Sequence, residues 1–531
     1  MIPNVDVLIV GAGFAGLYAL HKMREIGVSA SVIEMADDVG GVWYWNKYPG
    51  ARCDVESMQY SYSFSDDLQQ EWQWTERYAR QPEIYAYLRH VADRFDLRRS
   101  ISFGTTVVSA TFDDADQCWR VGTDKGDNIA ARYCIMASGS LSVSRLPDLP
   151  GIENFAGPVL HTGNWPDNVP DFEGQHVAVI GTGSSGVQTI PQIAQRAKHL
   201  VVFQRTPNFV VPARNHPLAE EWQARWKSEY PEMRAQARQV GTLYDFSDTP
   251  ALSVSPETRE AEYQRRWEKG GVNFVHAFKD IMTDIAANQT AADFVHERIR
   301  QAVNDPVIAE RLCPKNYPLG AKRICVGSEY YETYNRDNVT LVDLRETPIV
   351  SVNGQSIRTS AANHAIDILI CATGYDALTG ALMRIDIRGQ GGVSLAEKWS
   401  EGPRNYLGLM SAEFPNMFII TGPGSPSVLV NMVVGIEQHV DWIADCILHL
   451  KATGSAGIVP RVDAEDKWVQ RVNDEAASTL FTQADSWYLG ANIPGKPRVF
   501  MPFVGGIGRY RAICDQVADD AYPGFETLKE H

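Results

Sequence analysis

Two glycine-rich turns constrain this chain's fold more than anything else in its 531 residues. Gly11-Ala-Gly-Phe-Ala-Gly16 follows the apolar run Val5-Asp-Val-Leu-Ile-Val10 and opens a stretch of helical spacing over 17–26. Gly181-Thr-Gly-Ser-Ser-Gly186 follows Gln175-His-Val-Ala-Val-Ile180 and opens another over 187–196. In such a turn the first glycine permits a tight reversal and the second lets backbone approach a pyrophosphate. The third lets the helix pack closely on its strand. Phosphates then rest on the helix N-terminus, where free N–H groups and the helix dipole attract anions. A lone Gly-x-Gly-x-x-Gly is weak evidence. Two, each with its strand and helix in order, predict an α/β chain with two Rossmann-like dinucleotide-binding domains.

The residues closing the next strands separate the two cofactors. Glu34 ends the run 29–33, 18 residues beyond Gly16. A carboxylate there accepts hydrogen bonds from a ribose diol and repels a 2′-phosphate, which with the N-terminal position selects FAD. Arg205 ends the run 200–204, 19 residues after Gly186, and Thr206 follows. A guanidinium and a hydroxyl suit a 2′-phosphate, so the second site is expected to prefer NADPH over NADH. A solvated strand-end cation is the plainer alternative for Arg205.

Two further stretches carry no decisive periodicity. Gly40-Gly-Val-Trp-Tyr-Trp-Asn-Lys-Tyr-Pro-Gly-Ala-Arg-Cys-Asp54 combines glycines, aromatics and a Pro-Gly turn, and suits backbone lying against a flat ring system or an aromatic-rich surface loop. Phe155-Ala-Gly-Pro-Val-Leu-His-Thr-Gly-Asn-Trp-Pro166 lies between the two glycine turns. Its glycines and prolines make it too broken for helix or strand, and an interdomain linker is the plain reading.

Both stretches resemble the signatures of type I Baeyer–Villiger monooxygenases: Gly-Gly-x-Trp-x(4)-Tyr-Pro-Gly-x(3)-Asp in the first and Phe-x-Gly-x-x-x-His-Thr-x-x-Trp-Pro in the second. The resemblance runs from Val5 to about Phe525, towards the phenylacetone and steroid monooxygenase branch, which shares Tyr48-Pro-Gly-Ala-Arg-Cys-Asp54 and Ser486-Trp-Tyr. It implies insertion of one oxygen from O2 beside a ketone carbonyl, giving an ester or lactone through a C4a-peroxyflavin, with FAD and NADPH as cofactors. Sulfoxidation is the implied side activity.

By that resemblance Arg323, in Pro318-Leu-Gly-Ala-Lys-Arg-Ile324, points to the flavin edge and Lys322 reaches the 2′-phosphate. Chemistry alone makes this pair a solvated corner. A permanent cation would stabilise the peroxide and the oxyanion formed on attack, and Asp54 would hold and tune it. Gly41, Val42, Trp43, Trp45, Asp54, Tyr60 and Val107 join Gly11, Gly13, Gly16 and Glu34 as expected cofactor contacts. Thr182, Gly183, Ser184, Ser185, Gly186, Gln188, Arg205, Thr206, Lys322, Arg323, Met432 and Trp487 complete that set. Ser427, Val428, Leu429 and Met432, on the loop before a helix over 433–450, are expected to line the substrate pocket, and 486–496 to form a mobile loop. His161 is read as a structural hinge residue, not the catalytic base. A flavin-containing or N-hydroxylating monooxygenase acting on amines or sulfides is the rival reading; its fingerprint lacks the His-Thr-x-x-Trp ending.

Composition narrows the rest. A net charge of -16 argues against a nucleic-acid partner. No run of 18 apolar residues appears, so no membrane span is expected. The start runs straight into a strand, so no signal peptide is expected. Eight scattered cysteines show neither metal-ligand spacing nor a disulfide framework. Cys53 has no partner nearby for dithiol chemistry. A reduced, cytoplasmic monomer without metal is the simplest expectation. The expected organisation is a FAD domain over 1–145 and 358–531, an NADP domain over 146–210 and 320–357, and a mostly helical insertion over 211–319. The run Ile366-Asp-Ile-Leu-Ile-Cys-Ala-Thr-Gly374 reads as a strand, and its Ala-Thr-Gly end resembles the second flavin-domain element of the Baeyer–Villiger family, so it is expected there.

Overall fold

A computed structural model describes residues 5–529. Val5–Val10 is flanked in parallel by Ala30–Ile33 and Asn128–Met136, and its last four residues are buried. Such two-sided burial suits an almost wholly apolar strand. An antiparallel meander of Val107–Asp113 and Cys118–Thr123 extends this first sheet from Asn128–Met136. Helix Phe14–Glu25 packs on it and meets the long helix Met432–Thr453 on its other side.

The second sheet is parallel throughout, in the order Val339–Asp343, His199–Gln204, His176–Ile180, Ile368–Cys371, Val159–His161. Two expectations are corrected here. The run ending in Ala372-Thr-Gly374 does not join the flavin sheet: Ile368–Cys371 is hydrogen-bonded between two strands of the second sheet. The chain therefore returns to the first unit beyond Thr373, not at 358. The stretch 155–166 is not all loop, because Val159–His161 is the edge strand of this sheet.

The misplaced strand has a physical cause. Ala137-Ser-Gly139 and Ala372-Thr-Gly374 perform the same task in their own sheets. A Cβ on Gly11 would stand 2.6 Å from the Ala137 carbonyl oxygen, and one on Gly181 would stand 2.4 Å from that of Ala372. Each strand end is the floor under a glycine turn, and the two look alike in sequence.

The insertion is helical, with Glu220–Ser228, Tyr230–Val240, Pro256–Lys269, Ile285–Ala302 and Pro306–Leu312. The second of these helices opens with Pro231 in its first turn, where proline costs no hydrogen bond. The insertion leaves through Val210–Pro212 and returns through Cys325–Gly327, which pair in parallel. That pairing sets Lys322 and Arg323 just before the returning strand. An unforeseen antiparallel ribbon, Ile349–Asn353, Ser356–Thr359 and Asn363–Ala365, follows.

Candidate functional site

Arg323 reaches across to the first unit. Its Nε donates to Asp54 Oδ2 and its Nη2 to Asp54 Oδ1, both at 2.8 Å, while Nη1 donates to the Val428 carbonyl at 3.0 Å. A two-pronged carboxylate contact fixes the guanidinium plane as well as its position. Desolvation works against the charge here, but the Asp54 carboxylate outweighs it and holds Arg323 protonated well above the ordinary range. Asp54 is anchored in turn: the Cys53 N–H donates to Ala79 O, and Arg52 is clamped by Glu76.

The two glycine turns share one geometry. A Cβ on Gly16 would lie 1.8 Å from Gly11 O, and one on Gly186 would lie 2.2 Å from Gly181 O. The middle positions differ. Gly13 faces Gly41, whose Cα is 3.3 Å from the added atom, whereas Gly183 faces open space within 4 Å. Glu34 is buried and its carboxylate accepts from the N–H groups of Ala12 and Ala36. Burial pushes its pKa up, and those amide hydrogen bonds oppose the shift. Arg205 is exposed at its strand end. Lys322 lies over the Tyr317 ring at 4.8 Å; burial and then the nearby Arg205 charge lower its pKa. The two cations are thus near enough for the charge of one to act on the other. Thr206 accepts at its carbonyl from the Thr182 hydroxyl.

The signature stretches bind the two units together. Gln188 Oε1 accepts from the Tyr48 hydroxyl at 2.8 Å and its Nε2 donates to Arg52 O. The Thr189 hydroxyl donates to Pro49 O, and a Cβ on Gly50 would meet Gln188 O at 2.3 Å. The Pro-Gly turn is thus pressed against a helix of the second unit, a closer reason for glycine than a flat ring. Trp165 N–H donates to Trp45 O, and the Thr162 hydroxyl to Ser185 Oγ. His161 is buried, and burial lowers its pKa. Its Nδ1 accepts from Gly163 N–H, so Nε2 carries the proton facing Thr373 Oγ1 at 3.3 Å. That is a structural post, with both ring nitrogens engaged.

Trp43 Nε1 donates to the Tyr60 hydroxyl, Val42 and Trp43 sit in the short helix Val42–Trp45, and Val107 is buried with Val10 and Ile33. Ser184 Oγ lies 3.6 Å from Cys325 Sγ. Among the expected pocket residues, Val428, Leu429 and Met432 gather with Trp487, while Ser427 turns its hydroxyl inward onto Thr421 O at 3.0 Å. Ser427 holds this loop in a left-handed conformation, φ 43°. The segment expected as mobile packs down: Trp487–Leu489 is a turn of 3₁₀ helix, Asn492 donates to Tyr375 O, and Lys496 pairs with Asp376. Two aromatics near Arg323 escaped sequence reasoning, Tyr488 and Tyr244. Tyr488 adjoins a noted tryptophan; Tyr244 had no local signal.

The profile of the pyridine nucleotide-disulphide oxidoreductases matches residues 8–220, yet all eight cysteines are free thiols. The Baeyer–Villiger monooxygenase of Pseudooceanicola batsensis is 44% identical over 525 residues, covering 98% of this chain and 95% of that protein. The phenazine N-monooxygenase of Lysobacter antibioticus is 40% identical over 528 residues, covering 98% and 97%. A solved structure of oxidized steroid monooxygenase bound to NADP is 52% identical, with a TM-score of 0.96 over 99% of this chain and 100% of that one.

Proposed function

The chain belongs to the Baeyer–Villiger monooxygenases, and from that membership we infer that it uses FAD, NADPH and O2 to insert one oxygen atom beside a ketone carbonyl, giving an ester or lactone. When bound, the two cofactors supply electrons and activate dioxygen. The chain's own residues fit them. Open space at Gly183 admits a pyrophosphate that a side chain would displace, and the buried Ser486 hydroxyl beside Trp487 has no partner within the protein.

We assign Gly11, Gly13, Gly16 and Glu34, with Gly41, Val42, Trp43, Trp45, Tyr60 and Val107, to FAD. Thr182 to Gly186, Gln188 and Trp487 would hold NADPH, and Arg205, Thr206 and Lys322 its 2′-phosphate. One observation carries the chemistry: a guanidinium fixed by Asp54 and bonded to the carbonyl of Val428, whose side chain packs with Leu429, Met432 and Trp487. Its charge cannot titrate away. It stabilises the negative charge that develops on the carbonyl oxygen during attack, where low surrounding polarity strengthens the effect.

In the FAD-loaded enzyme, Arg323→Ala should lower ketone oxygenation on the order of 100- to 1,000-fold, while NADPH still bleaches the flavin absorbance. Ester formation above a tenth of the wild-type rate would refute the assignment. N-oxidation is the second reading, favoured by the phenazine N-monooxygenase relative; side-by-side turnover of a ketone and a phenazine separates the two. Among the described residues no helix is long and apolar enough to cross a membrane. We place the protein in the cytoplasm, a reading supported by its free thiols, and read it as a monomer.

A further inference from the structure

Gln59 stands where three parts of the chain meet. It is 4% exposed and immediately precedes Tyr60. Its side-chain Oε1 accepts from the N–H of Leu243, in the helical insertion, at 2.8 Å. Its backbone carbonyl accepts twice, from Arg234 Nη1 at 3.1 Å and from Asn431 Nδ2 at 2.7 Å. Asn431 caps the helix Met432–Thr453, its Oδ1 accepting from Val433 N–H at 3.1 Å. One residue of the first unit thus holds the insertion with its amide and the end of the 427–432 loop with its carbonyl.

The partners differ in how firmly they are held. Arg234 is buried and donates also to Gln69 Oε1 at 2.9 Å and Ser61 Oγ at 2.7 Å, so its place does not depend on Gln59 alone. Leu243 lies on an irregular stretch between two helices of the insertion, where the backbone bond to Gln59 fixes its register. Close by, the insertion touches the loop directly. A Cβ on Gly241, which sits at φ 82°, would stand 2.8 Å from Val430 Cγ1 and 3.3 Å from Ile507 Cγ2. Leu243, Val430 and Met432 pack against the same core. The spacing between insertion and loop is therefore set within a few residues of the Gln59 amide.

We propose that Gln59 is a positioning residue that sets the insertion against the 427–432 loop and so fixes how large a ketone the enzyme accepts. This rests on the reading of that loop as lining the ketone pocket. Depriving a buried N–H of its acceptor shifts a local equilibrium on the order of 10-fold. Gln59→Leu removes the side-chain acceptor at similar volume and leaves the backbone carbonyl in place. Gln59→Glu keeps an acceptor for Leu243.

In the FAD-loaded full chain, Gln59→Leu should be reduced by NADPH at the wild-type rate, with kcat for cyclohexanone little changed and its KM raised. The ratio of kcat/KM for cyclododecanone to that for cyclohexanone should rise on the order of 10-fold, and Gln59→Glu should return it towards wild type. A second readout needs no turnover. Amide exchange over 242–246 should speed on the order of 10-fold in Gln59→Leu but not in Gln59→Glu, with the strand 5–10 unchanged in both. A wild-type ratio in Gln59→Leu, or one and the same ratio in the two variants, would overturn the proposal. Should Gln59→Leu fail to retain FAD, Gly241→Ala presses on Val430 from the insertion side with Gln59 intact. It should raise the same ratio; a wild-type ratio there would equally overturn it. Leu429→Phe tests the underlying reading separately and should lower the ratio. No change in Leu429→Phe defeats the pocket reading whatever Gln59 does, whereas a lowered ratio there beside an unmoved one in Gln59→Leu defeats the positioning role alone.

Discussion

The two glycine turns are near copies in backbone and opposites in charge. In both, the first and third glycines are enforced by protein: a strand-end carbonyl lies under Gly11 and Gly181, and a turn carbonyl lies against Gly16 and Gly186. At the strand end the likeness stops. Glu34 is buried and bound to backbone amides of its own turn, whereas Arg205 is exposed and shares its surroundings with Lys322. The comparison separates two demands that one motif combines. Packing dictates the outer glycines and also presses on Gly13, whereas open space at Gly183 leaves that position to the ligand, and side-chain charge beyond the turn is proposed to select the nucleotide.

Breaking the packing demand should have the largest effect. Gly16→Ala forces a Cβ into Gly11 O at 1.8 Å, so unfolding in urea should show a loss of about 3 kcal/mol or more, the upper end for overpacking. Gly183→Ala meets nothing within 4 Å and sits at φ −77°. Its stability should stay within about 0.5 kcal/mol of wild type, while KM for NADPH rises. Equal destabilisation by the two substitutions would erase the distinction between the glycines.

Next comes charge. Arg205→Glu should reduce the preference for NADPH over NADH, measured as the ratio of kcat/KM values, by on the order of 10- to 100-fold. An unchanged ratio would leave Lys322 alone in charge of the 2′-phosphate. Smallest is a pH effect common to both units. His161 and His439 each accept a backbone N–H at Nδ1, from Gly163 and Thr421, and burial depresses both pKa values, that of His439 to about 3. The unfolded chain binds protons first, near 6.5, so this stability is present above that pH and is lost as pH falls. For His439 this should cost about 0.7 kcal/mol between pH 7 and 6, with His161 acting in the same direction, and His439→Gln should flatten the slope of melting temperature against pH.

Legibility followed sequence distance. The glycine turns, their strands and the helices that follow were readable because a tight reversal and a close helix contact are short-range steric demands on neighbouring residues. The lysine–arginine pair was readable only by resemblance, since nothing local distinguishes it from a solvated corner. The strand Ile368–Cys371 was assigned to the wrong sheet because its Ala-Thr-Gly end duplicates Ala-Ser-Gly139, and backbone pairing does not read side-chain identity. Tyr244 and Tyr488 were missed because their relevance lies in what they stand beside, not in any spacing.

By itself the sequence determined that there are two nucleotide-binding units, which end of each strand meets the ligand, and which sign of charge waits there. Only the tertiary structure decided that Asp54 and Arg323, 269 residues apart, form one device, and that the signature glycine at position 50 faces a helix of the other unit. The physical reason is one of range. Turn geometry is set by sterics within a few residues, whereas an ion pair across two units exists only once two sheets, an insertion and its paired entry and exit strands have fixed where the chain returns.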